Sequence, residues 1–454
     1  MPSTPSTPHL DPWPAPLATR PVSARVAVPG SKSQTNRALI LAALATAPSR
    51  ISGALQARDT ALMIEALITL GARIDTRPGR IPGTLDCRVD PIAPSAEQVD
   101  RQYVISDITL EEVLDVGLAG TVMRFLPPVA ALTRMRITLD GDPRARERPL
   151  GPMLDALRDL GVDVTDAAGF LPVSIRGTGH VEGGEVRIDA SASSQFVSGL
   201  LLSAPRFDRG LRLTHIGAHL PSQPHIDMTI AMLADHGVEV QRSGSPEHPT
   251  WHVGHGPITA IDRAIEPDLS NAAPFLVAAL VTGGRVRIPE WPEHTTQAGD
   301  HLRGLLQAMG AQVERDREGL TLTGTGEVRG LRADLHEIGE LAPVLAAAAA
   351  LASSPSHLTG IGHLRGHETD RLAALAEMIG TLGGDVVAGE DDLRITPRPL
   401  HAGTVSSYGD HRMATAAAVL GLVTPGVLIH DIATTSKTLA DFPGMWQNML
   451  EQDA

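Results

Sequence analysis

Only two of the 38 basic residues are lysines, and both stand among hydroxyl side chains: Lys32 in PGSKSQTNR (29–37) and Lys437 in TTSKT (434–438). Arginine can replace lysine as a surface charge but not as a proton donor or acceptor near neutral pH. Both amines are therefore candidates for proton chemistry. Groups suited to anions recur elsewhere. GDPRARERPL (141–150) is dense in arginine, and SASSQF (191–196) offers three hydroxyls and an amide. HETDR (367–371) sets Glu368 three residues before Arg371, and GDHRM (409–413) sets His411 beside Arg412. Taken singly, each has an ordinary explanation: a capped helix with a solvated lysine, a structural cap, a surface ion pair, a solvated loop. Adjacent cations at a helix start oppose the dipole, however, and make sense with an anion to bind. GSKS echoes the end of a nucleotide phosphate loop but lacks the G-x-x-x-x-G-K spacing.

Two kinds of element position these residues. Helices rich in small and aliphatic residues, each opened by a polar cluster, begin near Ser31, Gly120, Ser193, Ser270, Glu340 and His411. Between them come amphipathic helices that end in glycine and run into a strand, as in MIEALITLGARID and MLDALRDLGVDVT. Five of these are clear, and the C-terminal DFPGMWQNMLEQ is the sixth, completed by N-terminal strands around Ser23–Val28. The repeat of roughly 70 to 90 residues fits six βαβαββ units, although plain α/β alternation is the simpler reading. The fold expected is α/β with two domains of three units each, the active site lying in the cleft between them. Residues 31–265 would form the N-terminal domain, residues 21–30 plus 266–454 the C-terminal domain, and residues 1–20 a flexible Pro-rich tail. Six helix N-termini converging on one cleft would bind a multiply anionic ligand through free N–H groups.

With 454 residues, 42% of them hydrophobic, the chain can bury more than one core. A net charge of −14 argues against nucleic acid or anionic membrane as a partner. A lone cysteine, Cys87, fits a reducing compartment. The first residues lack the basic and apolar regions of a signal peptide, so a cytoplasmic protein is expected.

In order, PGSKSQTNR, AGTVMR (119–124), GDPRARERPL, SASSQF, HETDR, GDHRM and TTSKT resemble the motifs of the 5-enolpyruvylshikimate-3-phosphate synthases, over nearly the whole chain from about residue 20. The resemblance implies the inside-out α/β barrel of that family in each domain. It also implies transfer of the enolpyruvyl group of phosphoenolpyruvate to the 5-hydroxyl of shikimate 3-phosphate. No metal or organic cofactor is implied, the inhibitor glyphosate is, and a monomer is expected. The catalytic residues it implies are Lys32, Glu340, Glu368, His411 and Lys437. For shikimate 3-phosphate it implies Lys32, Ser33, Arg37, Ser193, Ser194, Gln195, Ser222, His225, Glu340, His363 and His367. For phosphoenolpyruvate it implies Lys32, Gly120, Arg148, Gln195, Arg371, His411, Arg412 and Lys437.

The chain departs from the pattern at several positions. Leu118 and Phe125 stand where asparagine and proline are usual, and Glu340 where aspartate is. His225, His363 and His367 replace tyrosine, asparagine and lysine. Two rivals remain: a transferase of the same fold acting on a UDP-amino sugar, and a non-catalytic anion-binding relative. The first usually carries a cysteine in a mobile loop and a Lys-Asn dipeptide. Here Cys87 sits in PGTLDCRVD and Lys32 precedes serine.

Overall fold

The computed structural model describes residues 11–92 and 110–452. Six helices rich in small residues span Lys32–Leu44, Gly120–Ala131, Gln195–Ser203, Leu269–Thr282, Ala342–Ala350 and His411–Val423. Their interiors are buried on all sides, as helices without a polar face must be. Six more span Arg58–Thr69, Gly151–Asp159, Gln223–Asp235, Leu302–Ala308, Arg371–Thr381 and Phe442–Glu451, burying one face each. Five of these run into Gly71, Gly161, Gly237, Gly310 and Gly383, all with positive φ. Such a residue turns the chain out of the helix without the steric cost a Cβ would bring.

In five of the six sheets two parallel strands are followed by an antiparallel hairpin; the sixth has three strands. Leu110–Asp115 pairs in parallel with Met135–Asp140, which pairs antiparallel with Phe170–Arg176, itself joined to Asp163–Ala167. The sheets built on Gly184–Ile188 and Arg332–Asp334 repeat that order. Two units exchange their first strands. Ser23–Arg25 lies parallel to Arg285–Pro289, whereas Arg263–Ala264 lies parallel to Ser49–Leu55. One hydrophobic core accordingly gathers residues between Ala38 and Ile265, and a second joins Val22, Val26 and Val28 to residues between Leu269 and Met449.

Two expectations need correction. Ser23–Arg25 completes the fourth unit rather than the sixth, because Val22 and Val26 bury in the core beneath Arg285–Pro289. It only flanks the C-terminal helix, Arg25 N donating to Gln452 Oε1 at 2.9 Å. The sixth sheet is instead closed by Trp13–Pro14, antiparallel to Leu428 and Ile429. Ala15 N and Ala18 N add bonds to Val427 O and Leu422 O at 3.0 and 2.9 Å. Within residues 11–20, Trp13–Pro14 is thus a short docked edge strand, where proline is tolerated because the outer side needs no N–H. Residues 1–10 of the expected tail lie outside the described residues.

The two crossings between cores run side by side. Gly30 bridges Pro267, Ser31 N donates to Glu266 O, and Asp268 N donates to Pro29 O. A Cβ on Gly30 would stand 2.0 Å from Gly53 O, so no other residue fits. Asp268 then caps two helices with one carboxylate. Its Oδ2 accepts from Lys32 N at 3.1 Å and its Oδ1 from Asn271 N at 2.9 Å. With each cap worth about 1 kcal/mol, Asp268→Ala should cost about 2 kcal/mol in urea denaturation, and Asp268→Asn, which keeps one acceptor oxygen, about half as much. A parent-like midpoint for the alanine variant would show that neither helix depends on this carboxylate.

Candidate active site

The polar starts of the buried helices meet in one cavity. Lys32, Ser33, Gly120, Ser193, Ser194, Gln195, Ser222 and His225 line it from the first core with Arg148. From the second come Glu340, His363, His367, Glu368, Arg371, His411 and Arg412. Two of the residues expected there, Arg37 and Lys437, stand behind the lining. Arg37 is buried over the Phe125 ring, 5.1 Å from its centroid. It donates to Ser33 O at 2.8 Å, Thr229 Oγ1 at 2.7 Å and His225 O at 2.9 Å, so it braces two lining residues. Phe125 therefore supplies the floor beneath a guanidinium. Lys437 Nζ donates to Glu368 Oε1 at 2.7 Å and Leu118 O at 3.3 Å. Arg148 Nη1 reaches the same carbonyl at 3.2 Å. Position 118 thus serves two cations through its backbone, which a leucine does as well as an asparagine.

At Gly120 the absence of a side chain lets three polar groups close in. A Cβ there would come within 2.9 Å of Gln195 Oε1, 3.0 Å of Arg124 Nη1 and 3.2 Å of Arg148 Nη2. The Nε atoms of Arg124 and Arg148 and Nδ1 of His411 are buried without a hydrogen-bond partner. Unpaired buried donors of this kind are costly and mark a place where polar groups await a ligand.

Burial and neighbouring charge fix the protonation states. Burial lowers the pKa of Lys32, with Asp59 Oδ2 at 3.6 Å partly offsetting it, so its proton is easily exchanged. Burial alone would raise Glu368, yet Lys437 and Arg371, the latter at 3.3 Å, hold it well below the usual carboxylate range. Glu368 is therefore ionised. Glu340 is likewise pushed up by burial but pulled down to about 2 by His225 at 3.6 Å and by Arg412. Burial, reinforced by nearby cations, keeps His411 and His367 neutral. Arg371 is fixed by Asp410, at 2.8 and 3.2 Å.

Sequence reasoning left several contributors without a role: Arg124, Asp59, Asp268 and Asp410. Arg124 and Asp410 lie inside quoted motifs, and Arg124 at i+4 from Gly120 must share its face, which was a usable signal. Asp59 shows only as an acidic residue in a helix first turn, which the dipole alone explains.

His363 carries a pH prediction. Burial and His336 lower its pKa to about 4, against 6.5 when unfolded. The neutral form is favoured in the fold, so its contribution is full above pH 6.5 and is lost as pH falls towards 4. His363→Asn should flatten this acid limb when urea midpoints are compared at pH 7 and 5; parallel pH profiles would assign the limb to other groups.

The sequence profile described as EPSP synthase (3-phosphoshikimate 1-carboxyvinyltransferase) matches residues 17–446. A 3-phosphoshikimate 1-carboxyvinyltransferase of Kocuria rhizophila is 53% identical over 444 residues, covering 97% of each chain. An EPSP synthase structure from Acinetobacter baumannii superimposes with a TM-score of 0.74 at 24% identity, covering 95% of this chain and 97% of that one. The enolpyruvyl transferase NikO from Streptomyces tendae gives 0.71 at 18% identity, covering 95% and 96%. The two structures speak for the fold, while the profile and the close relative speak for the family: the chain belongs to the EPSP synthases.

Proposed function

We propose that the cavity binds phosphoenolpyruvate and shikimate 3-phosphate together and transfers the enolpyruvyl group to the 5-hydroxyl, releasing inorganic phosphate. The observation that carries this is the single cavity on which Lys32, Arg124, Arg148, Arg371 and Arg412 converge, with the Nε atoms of Arg124 and Arg148 and Nδ1 of His411 buried and without a hydrogen-bond partner. Phosphoenolpyruvate lies there, its charge met by Arg371, Arg412 and Lys32, with His411 neutral beside them. Shikimate 3-phosphate lies against Ser33, Ser193, Ser194, Gln195 and Ser222, with His225, His363, His367 and Glu340 around it. Arg37 acts on it by bracing Ser33 and His225.

In the addition step the 5-hydroxyl loses its proton, its oxygen bonds to C2, and C3 gains a proton. In the elimination C3 returns that proton and the bond from C2 to the phosphate oxygen breaks. Lys32 takes the hydroxyl proton, burial having lowered its pKa from the ordinary lysine value. Glu340, too strong an acid to serve as base, accepts the hydroxyl hydrogen bond and orients it. Glu368 has no proton of its own at rest, so the Lys437–Glu368 pair passes one to C3 and recovers it. The surrounding cations stabilise the charge that builds on the departing phosphate. The two cores act as domains that draw together on the substrates, in a cytoplasmic monomer. The lone, buried Cys87, its thiol pushed up to about 11, is in keeping with a reducing compartment.

A phosphate-release assay with both substrates tests the whole reading. No release, or release without shikimate 3-phosphate, would overturn it. Lys32→Arg keeps the charge but cannot exchange protons, so turnover should fall by about 100-fold or more; activity within a few-fold of the parent would remove Lys32 from proton transfer.

Gly120→Ala sets a methyl group against Gln195, Arg124 and Arg148, which must give way. It should raise the inhibition constant of glyphosate, the longer anion, more than the Michaelis constant for phosphoenolpyruvate. Equal losses would put Gly120 outside the donor site.

A further inference from the structure

Ser222, a lining residue at the rim of the cavity, has φ of 52° although it is not a glycine. A left-handed backbone at such a residue costs about 1 kcal/mol or more and persists only where the surroundings hold it. Within its own core, His225 N donates to Ser222 O at 3.0 Å. Across the gap, His336 of the second core makes two bonds to the same loop. Its backbone carbonyl accepts from Ser222 N at 3.3 Å, and its imidazole Nε2 lies 3.2 Å from Leu220 O. Since a carbonyl can only accept, Nε2 carries the proton.

His336 also stands in a row of imidazoles that runs inward. Its ring lies edge-on to His219 at 6.0 Å on the exposed side and to His363 at 5.9 Å on the cavity side. His363 is in turn 5.9 Å from His367. His219 belongs to the loop that carries Ser222; the other three belong to the second core. The row therefore packs the loop edge to edge against residues that line the shikimate 3-phosphate side.

We propose that His336 is a positioning residue for shikimate 3-phosphate: it holds Ser222 in its left-handed conformation, and does so only when the two cores are in contact. The inference rests on the reading of this cavity as the shikimate 3-phosphate site. It adds a coupling between the contact of the cores and the shape of that site. When the cores separate, the two bonds from His336 are lost and Ser222 relaxes to ordinary backbone angles, so the free and engaged forms differ in affinity for this substrate. His336 touches no reacting atom, so turnover at saturation is set elsewhere.

The test compares His336→Ala with His336→Gln, whose amide N–H reaches as far as Nε2. The alanine variant should raise the Michaelis constant for shikimate 3-phosphate roughly fivefold, the scale of one neutral hydrogen bond, with that for phosphoenolpyruvate and the turnover number changed less than about twofold. The glutamine variant should return to near the parent. A double-mutant cycle separates positioning from general destabilisation. Ser222→Gly takes the left-handed conformation without strain, so adding His336→Ala to it should cost little more in that Michaelis constant. Additive losses in the cycle, no loss for His336→Ala, or a glutamine variant as poor as the alanine one would each overturn the proposal. If His336→Ala does not fold, the cycle run with His336→Leu decides it by the same criteria. A parent chain that releases no phosphate would overturn the reading of the cavity instead.

Discussion

The carboxylate of Asp268 ties the two halves of the molecule at the start of their first buried helices. One oxygen caps Lys32–Leu44 and the other caps Leu269–Thr282, so the N-termini of both helices are fixed relative to a single side chain. Around it Glu266 gathers Gln34, Thr295 and Gln297, and Gln297 returns a bond to Leu269 N. Because the crossing strands are locked at this point, the helices that follow can only face one another across the cavity. Lys32 is the first residue of its helix and sits directly on this junction.

Charge is the second constraint. Lys32, Arg124, Arg148, Arg371, Arg412 and Lys437 crowd around one largely buried cavity, where like charges repel strongly. The fold holds them with Asp59 at Lys32, Asp410 at Arg371, Glu368 between Arg371 and Lys437, and the Leu118 carbonyl between Lys437 and Arg148. Arg371 and Asp410, 3% and 0% exposed, form the most buried of these pairs. The compensation is incomplete: the Nε atoms of Arg124 and Arg148 are buried without a hydrogen-bond partner. Under the proposed function a polyanionic ligand would meet that deficit, so one set of contacts would both bind the ligand and relieve the cavity.

Much of this was legible in the sequence. Small-residue helices have no polar face, so their burial is forced, and the polar cluster at each start had to lie where the buried helices begin. Less visible were effects carried by the backbone. Leu118 looked like a loss because only its side chain differs, whereas its carbonyl does the holding. Arg37 reads as a ligand contact by residue type, but Phe125 and Thr229, far away in sequence, draw it into the wall. The strand Trp13–Pro14 could not be read because Pro-rich sequence signals a loose tail unless an unpaired sheet edge happens to lie near. The histidine row joins residues 219, 336, 363 and 367, a proximity no local pattern encodes.

The exchange of first strands between units sets a timetable for synthesis. Ser23–Arg25 leaves the ribosome well before its partner Arg285–Pro289, which is made about 260 residues later. At roughly 5 to 20 residues per second that is a wait of about 13 to 50 seconds. During it the first core, from Ala38 to Ile265, can assemble around its own borrowed strand, Arg263–Ala264. The N-terminal strand meanwhile has valines to bury and nowhere to bury them. The nascent chain must carry this exposed edge, a site for chaperone contact, until the fourth sheet is translated.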